Sequence, residues 1–442
     1  MIKLPEQVNK AICLLKNSGF EAYAVGGAVR DCLLGKVPFD WDITTSARPE
    51  ETEKVFCGER IIETGIKHGT VTVIIDDMPL EITTYRIDGD YTDHRHPQTV
   101  SFSDNLRDDL SRRDFTINTL CCNCDDKIID VFGGKDDLNN KTIRCVGDPD
   151  TRFSEDALRI MRAVRFSAEL GFKIEKSTSD SILKNRQLLS DVSKERLQVE
   201  FTKLITGKYA TDVIRKYHTV IEVFIPELAP LIECEQHTKY HKYDVFEHTL
   251  HAVDAIDFND RILRLTMFFH DFGKPDAKTT DENGTSHFKG HAVISEKKTR
   301  DILKRLKFDN NTINEVSKLV LIHDMKSPRD KIQAKKMMCS LGDEAYLSLI
   351  KIKRADNMAK ADPHAIDEKL KNMRSFYEEI KINNECYNLK SLAINGDDIK
   401  AFGIAEGKEI KSSLDFLLNG VIEGKCQNRK DVLLEYLKEN TK

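Results

Sequence analysis

Two adjacent glycines, Gly26 and Gly27, directly follow the mostly apolar run 22–25 and dictate the local fold of this region. Such a run predicts a strand that feeds a tight turn, in which backbone N–H groups can hold phosphate oxygens. The pattern then favours a short helix from about Ala28 to Leu34, which Gly35 stops, and a second strand after it. The glycine pair by itself is also compatible with an ordinary tight turn, so the residues that follow decide the interpretation.

Two carboxylates with a spacing of two, Asp40 and Asp42, open the second predicted strand. On an extended strand this spacing places both side chains on one face. Two hard oxygen ligands beside a glycine turn suit Mg²⁺ that carries a nucleoside triphosphate. Such a pair also arises by chance as surface charge. The first hypothesis is nucleotidyl transfer, with Asp40 and Asp42 as catalytic metal ligands.

The next segments predict a β-hairpin. Residues 69–75 and 80–86 are rich in β-branched side chains, and they flank the turn 76–79. Glu81 lies on the second strand, where it is a candidate third carboxylate. An exposed strand residue without a catalytic role is an equally good interpretation of Glu81.

Three further signatures follow in the chain: Arg112-Arg113-Asp114, Phe132-Gly133-Gly134, and the segment Glu155–Arg165. Together with the glycine pair and the acidic pair, in this order, they resemble the class II tRNA nucleotidyltransferases, which are the CCA-adding enzymes and bacterial poly(A) polymerases. The resemblance implies an α+β fold, with a mixed α/β nucleotidyltransferase head followed by all-helical domains. It also implies Mg²⁺ as cofactor, and tRNA, CTP and ATP as partners.

Glu155–Arg165 is predicted to be helical, so that Asp156 and Arg159 are neighbours three positions apart. Each further three-residue step turns by roughly 60°, which leaves Arg162 near this face and moves Arg165 well round it. An Asp acceptor beside an Arg donor can recognise the edge of a base. The resemblance implies that Asp156 and Arg159 pair with the incoming CTP or ATP. A solvated charge stripe is the alternative.

Three arginines, Arg30, Arg112 and Arg113, are then expected to neutralise the triphosphate. With Arg162 and Arg165 they complete the predicted nucleotide-binding set. The reaction needs positioning and charge stabilisation, without a nucleophilic side chain, because the 3′-hydroxyl of tRNA attacks the α-phosphorus and pyrophosphate leaves. The arginine pair is equally compatible with a surface ion-pair cluster that includes neighbouring acids, namely Asp108, Asp109 and Asp114.

A polar, glycine-containing stretch at residues 88–97 predicts a mobile loop. In the family that the chain resembles, a loop in this region helps the enzyme pass from C addition to A addition. Its presence therefore favours full CCA addition. A long exposed connection without such a role is the alternative.

A second group of candidate ligands lies in the middle of the chain. Histidine and aspartate together suit a divalent transition metal. His248, the pair His270-Asp271 and then Asp356 follow one another along the chain. This order of residues resembles the HD phosphohydrolase superfamily, whose fold is all-helical, and the resemblance implies that these four residues are metal ligands. His291 and His323 are additional candidates. The alternative is a helical scaffold that has lost its chemistry.

Composition is compatible with both sites. A chain of 442 residues with 40% hydrophobic residues can form two to four domains. No stretch approaches the roughly 20 apolar residues of a membrane span, and the first residues do not open a signal peptide, so no membrane association and a cytoplasmic location are expected. Eleven cysteines without regular spacing predict reduced thiols, with buried free thiols on a strand at 121–124.

The net charge of −5 does not exclude a nucleic-acid substrate, because phosphate binding depends on local basic patches. One candidate patch is made of basic residues after the base-selecting helix, namely Lys194, Arg196, Lys203 and Lys208. A solvated helix face is the alternative for these residues.

The spacing of the signatures predicts four regions. These are a nucleotidyltransferase head at 1–145, a helical base-selecting and neck region at 146–225, an HD-type helical metal domain at 226–375, and a helical tRNA-contacting tail at 376–442. The leading hypothesis is template-independent CCA addition to tRNA. The alternatives are a poly(A) polymerase or a partial CC- or A-adding enzyme, and an HD metal phosphohydrolase whose head has become a binding module.

Overall fold

The structure of the protein is a computed structural model, and its described residues are 2–63, 65–66, 69–89, 100–404 and 407–440. The chain divides into two units, Met1–Ala229 and Pro230–Lys442. Buried apolar side chains form a core in each unit. The finer division into four regions stays a prediction.

The first unit is built on a mixed sheet. Its strands, in chain order, are β1 (Ala22–Val25), β2 (Trp41–Thr45), β3 (Arg60–Ile62), β4 (Thr70–Ile75), β5 (Met78–Thr84), β6 (Arg86–Asp88), β7 (Val100–Phe102), β8 (Cys121–Cys122), β9 (Ile128–Ile129), β10 (Thr142–Ile143) and β11 (Lys173–Ile174). Seven of them form one sheet in the order β3-β4-β5-β2-β1-β8-β9, in which β2 and β5 are parallel and the other neighbours are antiparallel. The predicted α/β head is therefore confirmed.

Helices of the first unit are α1 (Glu6–Asn17), α2 (Gly27–Leu33), α3 (Pro49–Val55), α4 (Leu106–Ser111), α5 (Gly134–Asn139), α6 (Pro149–Glu155), α7 (Leu158–Leu170), α8 (Lys176–Asn185), α9 (Lys194–Ile205) and α10 (Ala210–Ile221). From α6 onward the first unit is mainly helical, as predicted for the region that follows the head. The small parallel pair β10–β11 joins the end of the head to this region.

The predicted strand–turn–helix–strand unit is present as β1, α2 and β2. Gly26 caps the helix with φ of +84°, a value that side chains with a Cβ rarely adopt. Gly35 follows the helix with φ of +71°. The two glycines therefore set where this helix starts and stops.

The predicted hairpin is present, but its turn is shorter than expected. Ile75 pairs with Met78, so the loop contains only Asp76 and Asp77. Both have positive φ, of 47° and 63°, as a two-residue type I′ turn requires. Met78 therefore belongs to β5, because tight hairpin turns match the twist of the strands.

The double glycine that precedes α5 has a packing role. A Cβ on Gly134 would lie 2.2 Å from the carbonyl oxygen of Thr116, so only glycine fits there. Thr116 also donates a hydrogen bond to Asp137 on α5 at 2.6 Å. This close contact fixes the segment that follows Arg112 and Arg113.

Among its described residues, the second unit is helical apart from one short β-hairpin. Its helices are α11 (Val245–Asp254), α12 (Arg261–Phe269), α13 (Lys274–Ala277), α14 (His291–Arg305), α15 (Asn310–Ile322), α16 (Lys331–Leu341), α17 (Asp343–Met358), α18 (Asp367–Ile382), α19 (Gly396–Ala401), α20 (Lys408–Ile422) and α21 (Lys430–Asn440). The hairpin pairs β12 (Thr279–Thr280) with β13 (Ser286–His287). Helices α11, α12, α14, α15 and α17 pack together, and the candidate metal ligands lie on these helices or just after their last residues.

Within the described ranges, no helix combines the length and the apolar character that a bilayer crossing requires. Positions 90–97 of the predicted loop at 88–97 lie outside the described residues, so the prediction for that loop stays open. The thiols of Cys121 and Cys122 are free and buried on β8, as expected, whereas Cys124 lies after the strand and is only half-buried, so the prediction is wrong for Cys124.

Candidate active site and histidine centre

Two acidic residues lie in register on neighbouring central strands of the sheet. Asp42 on β2 lies directly beside Glu81 on the parallel strand β5. Residues in register on adjacent strands point to the same face and are about 4.8 Å apart. The structure therefore places Glu81, which the sequence left open, next to a predicted catalytic acid.

Asp40 lies at the edge of this site. It is exposed and precedes β2, which begins at Trp41, so the prediction that both acids lie on the strand is wrong for Asp40. Burial raises the pKa of Asp42 to about 6; Arg113 opposes this shift, whereas Glu81 and Asp40 reinforce it. Three negative side chains thus share one region, and a bound cation would relieve their repulsion.

The acid on β2 faces the glycine turn. A Cβ on Gly26 would lie 3.7 Å from Asp42 Oδ2 and 3.3 Å from Arg113 Nη1. The turn, one carboxylate and one guanidinium therefore surround the same space. This is the arrangement that the glycine pair and the acidic pair predict.

The arginine pair is anchored on a buried acid. Arg112 donates to Asp109 Oδ1 at 2.7 Å, and Arg113 lies 3.3 Å from Asp109 Oδ2. Thr44 on β2 donates to the same Oδ2 at 2.9 Å. Burial alone would raise the pKa of Asp109, but Arg113 and Arg112 hold it below its ordinary value. The arginine pair thus forms the ion pairs with Asp109 that the alternative expects, but the cluster is not at the surface, because Asp109 is fully buried and Asp114 is also buried.

Arg30 is buried beside the glycine turn. Its guanidinium donates to Asp31 Oδ1 and to Asn118 Oδ1, both at 2.8 Å. It also lies over the ring of Phe166 at 4.9 Å. Arg30 therefore joins the turn to the helical region as well as adding positive charge near Gly27.

The predicted side-by-side arrangement of Asp156 and Arg159 on one helix is wrong. Asp156 has extended backbone between α6 and α7, and its carboxylate caps α7 by accepting from the N–H of Leu158 at 3.1 Å. Its ion pair is with Arg196, at 2.9 Å. A short polar side chain that can cap a helix competes with helical backbone at this position. The predicted patch around Arg196 is thus partly an internal ion pair.

Arg159 begins a row of arginines along α7. Its guanidinium donates to Glu155 Oε2 at 2.7 Å and to the carbonyl oxygen of Arg112 at 2.8 Å. The second bond ties α7 to the arginine pair. Asp156 and Arg159 remain near each other in the chain, but each has another partner.

The other two arginines of α7 are held by buried acids. Arg162 contacts Asp114 at 2.6 Å, and Arg165 contacts Glu200 on α9 at 2.8 Å. Burial would raise the pKa of Asp114, but Arg162 and Asn118 hold it well below its ordinary value. Arg159 and Arg165 are both buried, so burial does not test the predicted displacement of Arg165 from the face of Arg159. Arg162 therefore holds the helical region against the head, and Arg165 joins α7 to α9 within the helical region.

All six predicted ligands of the histidine centre come together. Two groups of three could each hold a metal ion, and the groups share Asp271: His248, His270 and Asp271 form one, and Asp271, His291 and His323 form the other. Asp356 Oδ1 lies 3.0 Å from His248 Nε2. His291 and His323 therefore belong to the centre.

Every histidine of this centre is oriented in the same way. Each Nδ1 faces a backbone carbonyl oxygen at 2.6 to 3.2 Å, and the four carbonyl groups belong to Ala359, Met267, Phe288 and Val320. Donation from Nδ1 leaves each Nε2 as the free ligand atom, as in metal-bound histidines. Burial lowers the pKa of His248, and it lowers the pKa of His323 to about 3, so both stay neutral at pH 7.

Two lysines balance the acids of the centre. Lys274 Nζ lies 2.7 Å from Asp271 Oδ2, and Lys360 Nζ lies 2.6 Å from Asp356 Oδ2. Nevertheless, Asp271 Oδ1 is buried without a partner in hydrogen-bond geometry among the described residues, and His270 Nε2 lies only beside Asp271 Oδ2, at 3.1 Å. Atoms of this kind suit metal coordination, because unsatisfied polar groups in a core are costly.

Comparison with known proteins decides the family. The curated CCA-adding enzyme of Bacillus velezensis is 34% identical over 425 residues, which cover 96% of this chain and 95% of that protein. The chain belongs to the CCA-adding enzyme family. A crystal structure of the Bacillus stearothermophilus CCA-adding enzyme in complex with CTP has 30% identity and a TM-score of 0.75, and the match covers 98% of this chain and 96% of that one.

Other comparisons agree with this family. The Thermotoga maritima CCA-adding enzyme complexed with tRNA shares the fold, with 20% identity, a TM-score of 0.64, and coverage of 100% and 97%. Family models match in chain order as the poly A polymerase head domain at 22–144, the probable RNA and SrmB-binding site of polymerase A at 171–232, and a putative tRNA nucleotidyltransferase domain 2 at 279–437. The acidic site of this CCA-adding family member thus lies in the head match.

The sequence of this CCA-adding family member does not predict several residues that pair with the arginines of the site or with Asp156. The sequence offers Asp109 as a partner of the arginine pair only in a surface ion-pair cluster, and it does not assign Glu155, Glu200 and Arg196 to the arginines or to Asp156. Spacings of three or four residues are the local signals available, as between Asp109 and the arginine pair and between Glu155 and Arg159. The remaining pairs join distant parts of the chain, and a single sequence gives no signal for them.

Proposed function

We propose that this protein adds CCA to the 3′ end of tRNA from CTP and ATP, without a template. The observation that carries the proposal is the placement of Asp42 beside Glu81 on the sheet, facing the turn at Gly26. Membership of the CCA-adding enzyme family supports the choice of reaction. The proposed place of action is the cytoplasm, because tRNA is the substrate.

The donor set of Asp40, Asp42 and Glu81 fits Mg²⁺, since all three offer hard carboxylate oxygens. When bound, Mg²⁺ neutralises the triphosphate and lowers the pKa of the attacking hydroxyl. The backbone N–H groups of the glycine turn and the guanidinium of Arg113 face the phosphates. The tRNA 3′-oxygen forms a bond to the α-phosphorus while the bond to pyrophosphate breaks.

Choice of the base is assigned to the start of α7. Asp156 offers acceptor atoms and Arg159 offers donors, which together match the edge of cytosine or adenine. Asp156 pairs with Arg196, and Arg159 pairs with Glu155. The proposal therefore requires Asp156 and Arg159 to bind the base in addition to these ion-pair partners or in place of them.

Asp156→Asn is expected to raise KM for both CTP and ATP by roughly ten- to hundredfold. The change keeps a capping side chain but removes charge-assisted hydrogen bonds, each worth about 1.5–3 kcal/mol. Initial rates at varied nucleotide concentration measure the effect. Asp148→Asn is the matched control, because Asp148 caps α6 and is exposed. Equal KM values in the two variants would contradict the assignment.

The test of the proposed function is incubation with tRNA that lacks its 3′ CCA, together with labelled CTP and ATP. Two C and one A per tRNA are expected. Many A residues would instead identify a poly(A) polymerase, and C or A alone would identify a partial enzyme. No incorporation would overturn the proposal in favour of a head that serves only for binding.

A second activity is favoured by the histidine centre. Its six donors fit a divalent transition metal, and either of the two groups of three that share Asp271 could hold an ion. When bound, such a metal supplies an activated water for phosphoester hydrolysis. The proposed activity is that of an HD-type phosphodiesterase, which 2′,3′-cyclic nucleotides with Mn²⁺ or Ni²⁺ would reveal.

His270→Ala is expected to weaken Mn²⁺ binding at the histidine centre by about a hundredfold or more. Loss of groups that only orient metal ligands already costs ten- to hundredfold in affinity, and His270 is a ligand itself. Calorimetric titration of the chelator-treated protein measures it, with Asp271→Ala as a second variant. His287→Ala is the control, since His287 is exposed and pairs with Asp281. If His270→Ala and Asp271→Ala both bound Mn²⁺ with the affinity of the wild type, the proposal that these residues are metal ligands would be contradicted.

A further inference from the structure

The loop between α2 and β2 carries two apolar side chains that nothing covers within the described residues. Phe39 is 102% exposed and Val37 is 95% exposed, and these are the largest values among the large hydrophobic side chains described. Lys36 in the same loop is also exposed. A Phe ring covers a large apolar area when it is buried, so full exposure leaves that area available for binding.

This exposed pair lies at the acidic site. Phe39 immediately precedes Asp40, and consecutive Cα atoms are about 3.8 Å apart. Asp42 is only two residues further along, so the Cα atoms of Phe39 and Asp42 are at most about 11 Å apart. A nucleotide whose reactive atom lies at these acids therefore has its base at a distance that the neighbourhood of Phe39 can span.

Two bases approach the acids in the proposed reaction, that of the incoming nucleotide and that of the tRNA end. The incoming base is assigned to Asp156 and Arg159. The remaining base belongs to the terminal nucleotide of tRNA, whose 3′-hydroxyl attacks. We propose, on the basis of the proposed function, that Phe39 stacks on the terminal base of the tRNA acceptor end and that Lys36 faces its phosphate.

The chemistry of stacking suits this role. The terminal base changes during CCA addition, because each added nucleotide becomes the next acceptor. Stacking on an aromatic ring tolerates every base, since each base has a π-face, whereas a hydrogen-bonding contact would select one. Phe39 would thus hold the attacking end in place at all three steps without selecting it.

Phe39→Ala is expected to raise KM for tRNA lacking CCA about tenfold or more, as expected for loss of one stacked base. The same rise is expected for tRNA that already ends in one or two added C. The value of kcat at saturating tRNA, and KM for CTP and ATP, should stay unchanged. Phe39→Trp should retain the wild-type KM. Phe258→Ala is the matched control, because it removes a partly exposed ring of the second unit.

Fluorescence of 2-aminopurine at the tRNA terminus gives a direct reading of the contact, because stacking on a ring alters its emission. Wild type and Phe39→Trp should change the emission on binding, and Phe39→Ala should not. Suppose that the wild-type enzyme adds CCA, and that wild type and Phe39→Ala have the same KM for tRNA and the same 2-aminopurine emission. This result would overturn the stacking proposal and leave the proposed function intact. A rise in KM confined to CTP and ATP would overturn it by placing the ring against the incoming base. A wild-type protein that adds no nucleotide would instead overturn the proposed function on which the stacking rests.

Discussion

Asp42→Asn is expected to lower kcat for nucleotide addition by about a thousandfold or more. Asp42 is the acid that faces both Glu81 and the glycine turn, and replacing it removes a negative ligand from the cation site. Stabilisation by a metal contributes several kcal/mol to such a transition state, and each 1.36 kcal/mol corresponds to a factor of ten. Single-turnover addition of CTP to tRNA lacking CCA measures the loss.

The same exchange at an exposed acid provides the control. Asp125→Asn alters a carboxylate in the loop between β8 and β9, where the side chain is largely exposed, and it should leave kcat unchanged. CTP binding without added metal, followed by fluorescence, separates loss of chemistry from loss of folding. Full activity of Asp42→Asn would refute the assignment of the catalytic acids.

The second large effect concerns stability. Asp109→Ala should lower the free energy of unfolding of the first unit by about 3–5 kcal/mol, because it leaves Arg112 and Arg113 without their buried counter-charge. Urea denaturation followed by the fluorescence of Trp41 measures it. Trp41 is the single tryptophan of the chain and is buried in β2, so its signal reports on this unit.

An exposed pair serves as the comparison for Asp109. Asp104→Ala removes an acid that pairs with Arg48 at the surface, and it should cost less than about 1 kcal/mol. If Asp109→Ala and Asp104→Ala lowered the free energy of unfolding by equally small amounts, the result would contradict the role of Asp109 in holding the arginine pair in place. Nucleotide addition should fall in Asp109→Ala even where the protein remains folded, because Arg113 faces Asp42.

The sequence was sufficient to predict the β1–α2–β2 unit, because a positive φ at Gly26 and at Gly35 leaves few other conformations. It was also sufficient to name the six histidine and aspartate residues that the structure brings together in the histidine centre. In both cases the signal is local or is carried by unusual residue types. The apolar run before Gly26 and the repeated His and Asp residues are features of this kind.

The arrangement around α7 could not be predicted in the same way. Helical spacing favours Asp156 beside Arg159, but tertiary contact with Arg196, forty residues later, and a capping bond decide the conformation of Asp156. The burial of Asp109 depends on Thr44, sixty-five residues earlier. Such pairings depend on the folded sheet, so a single sequence leaves them open.

The assignment of the cation to Asp40, Asp42 and Glu81 is tested most directly by anomalous diffraction from crystals grown with Mn²⁺ and CTP. The expected result is a metal peak about 2.1 Å from carboxylate oxygens of Asp40 and Asp42, with the triphosphate against the glycine turn. A map that shows CTP bound at the turn, with metal peaks only at the histidine centre, would contradict it.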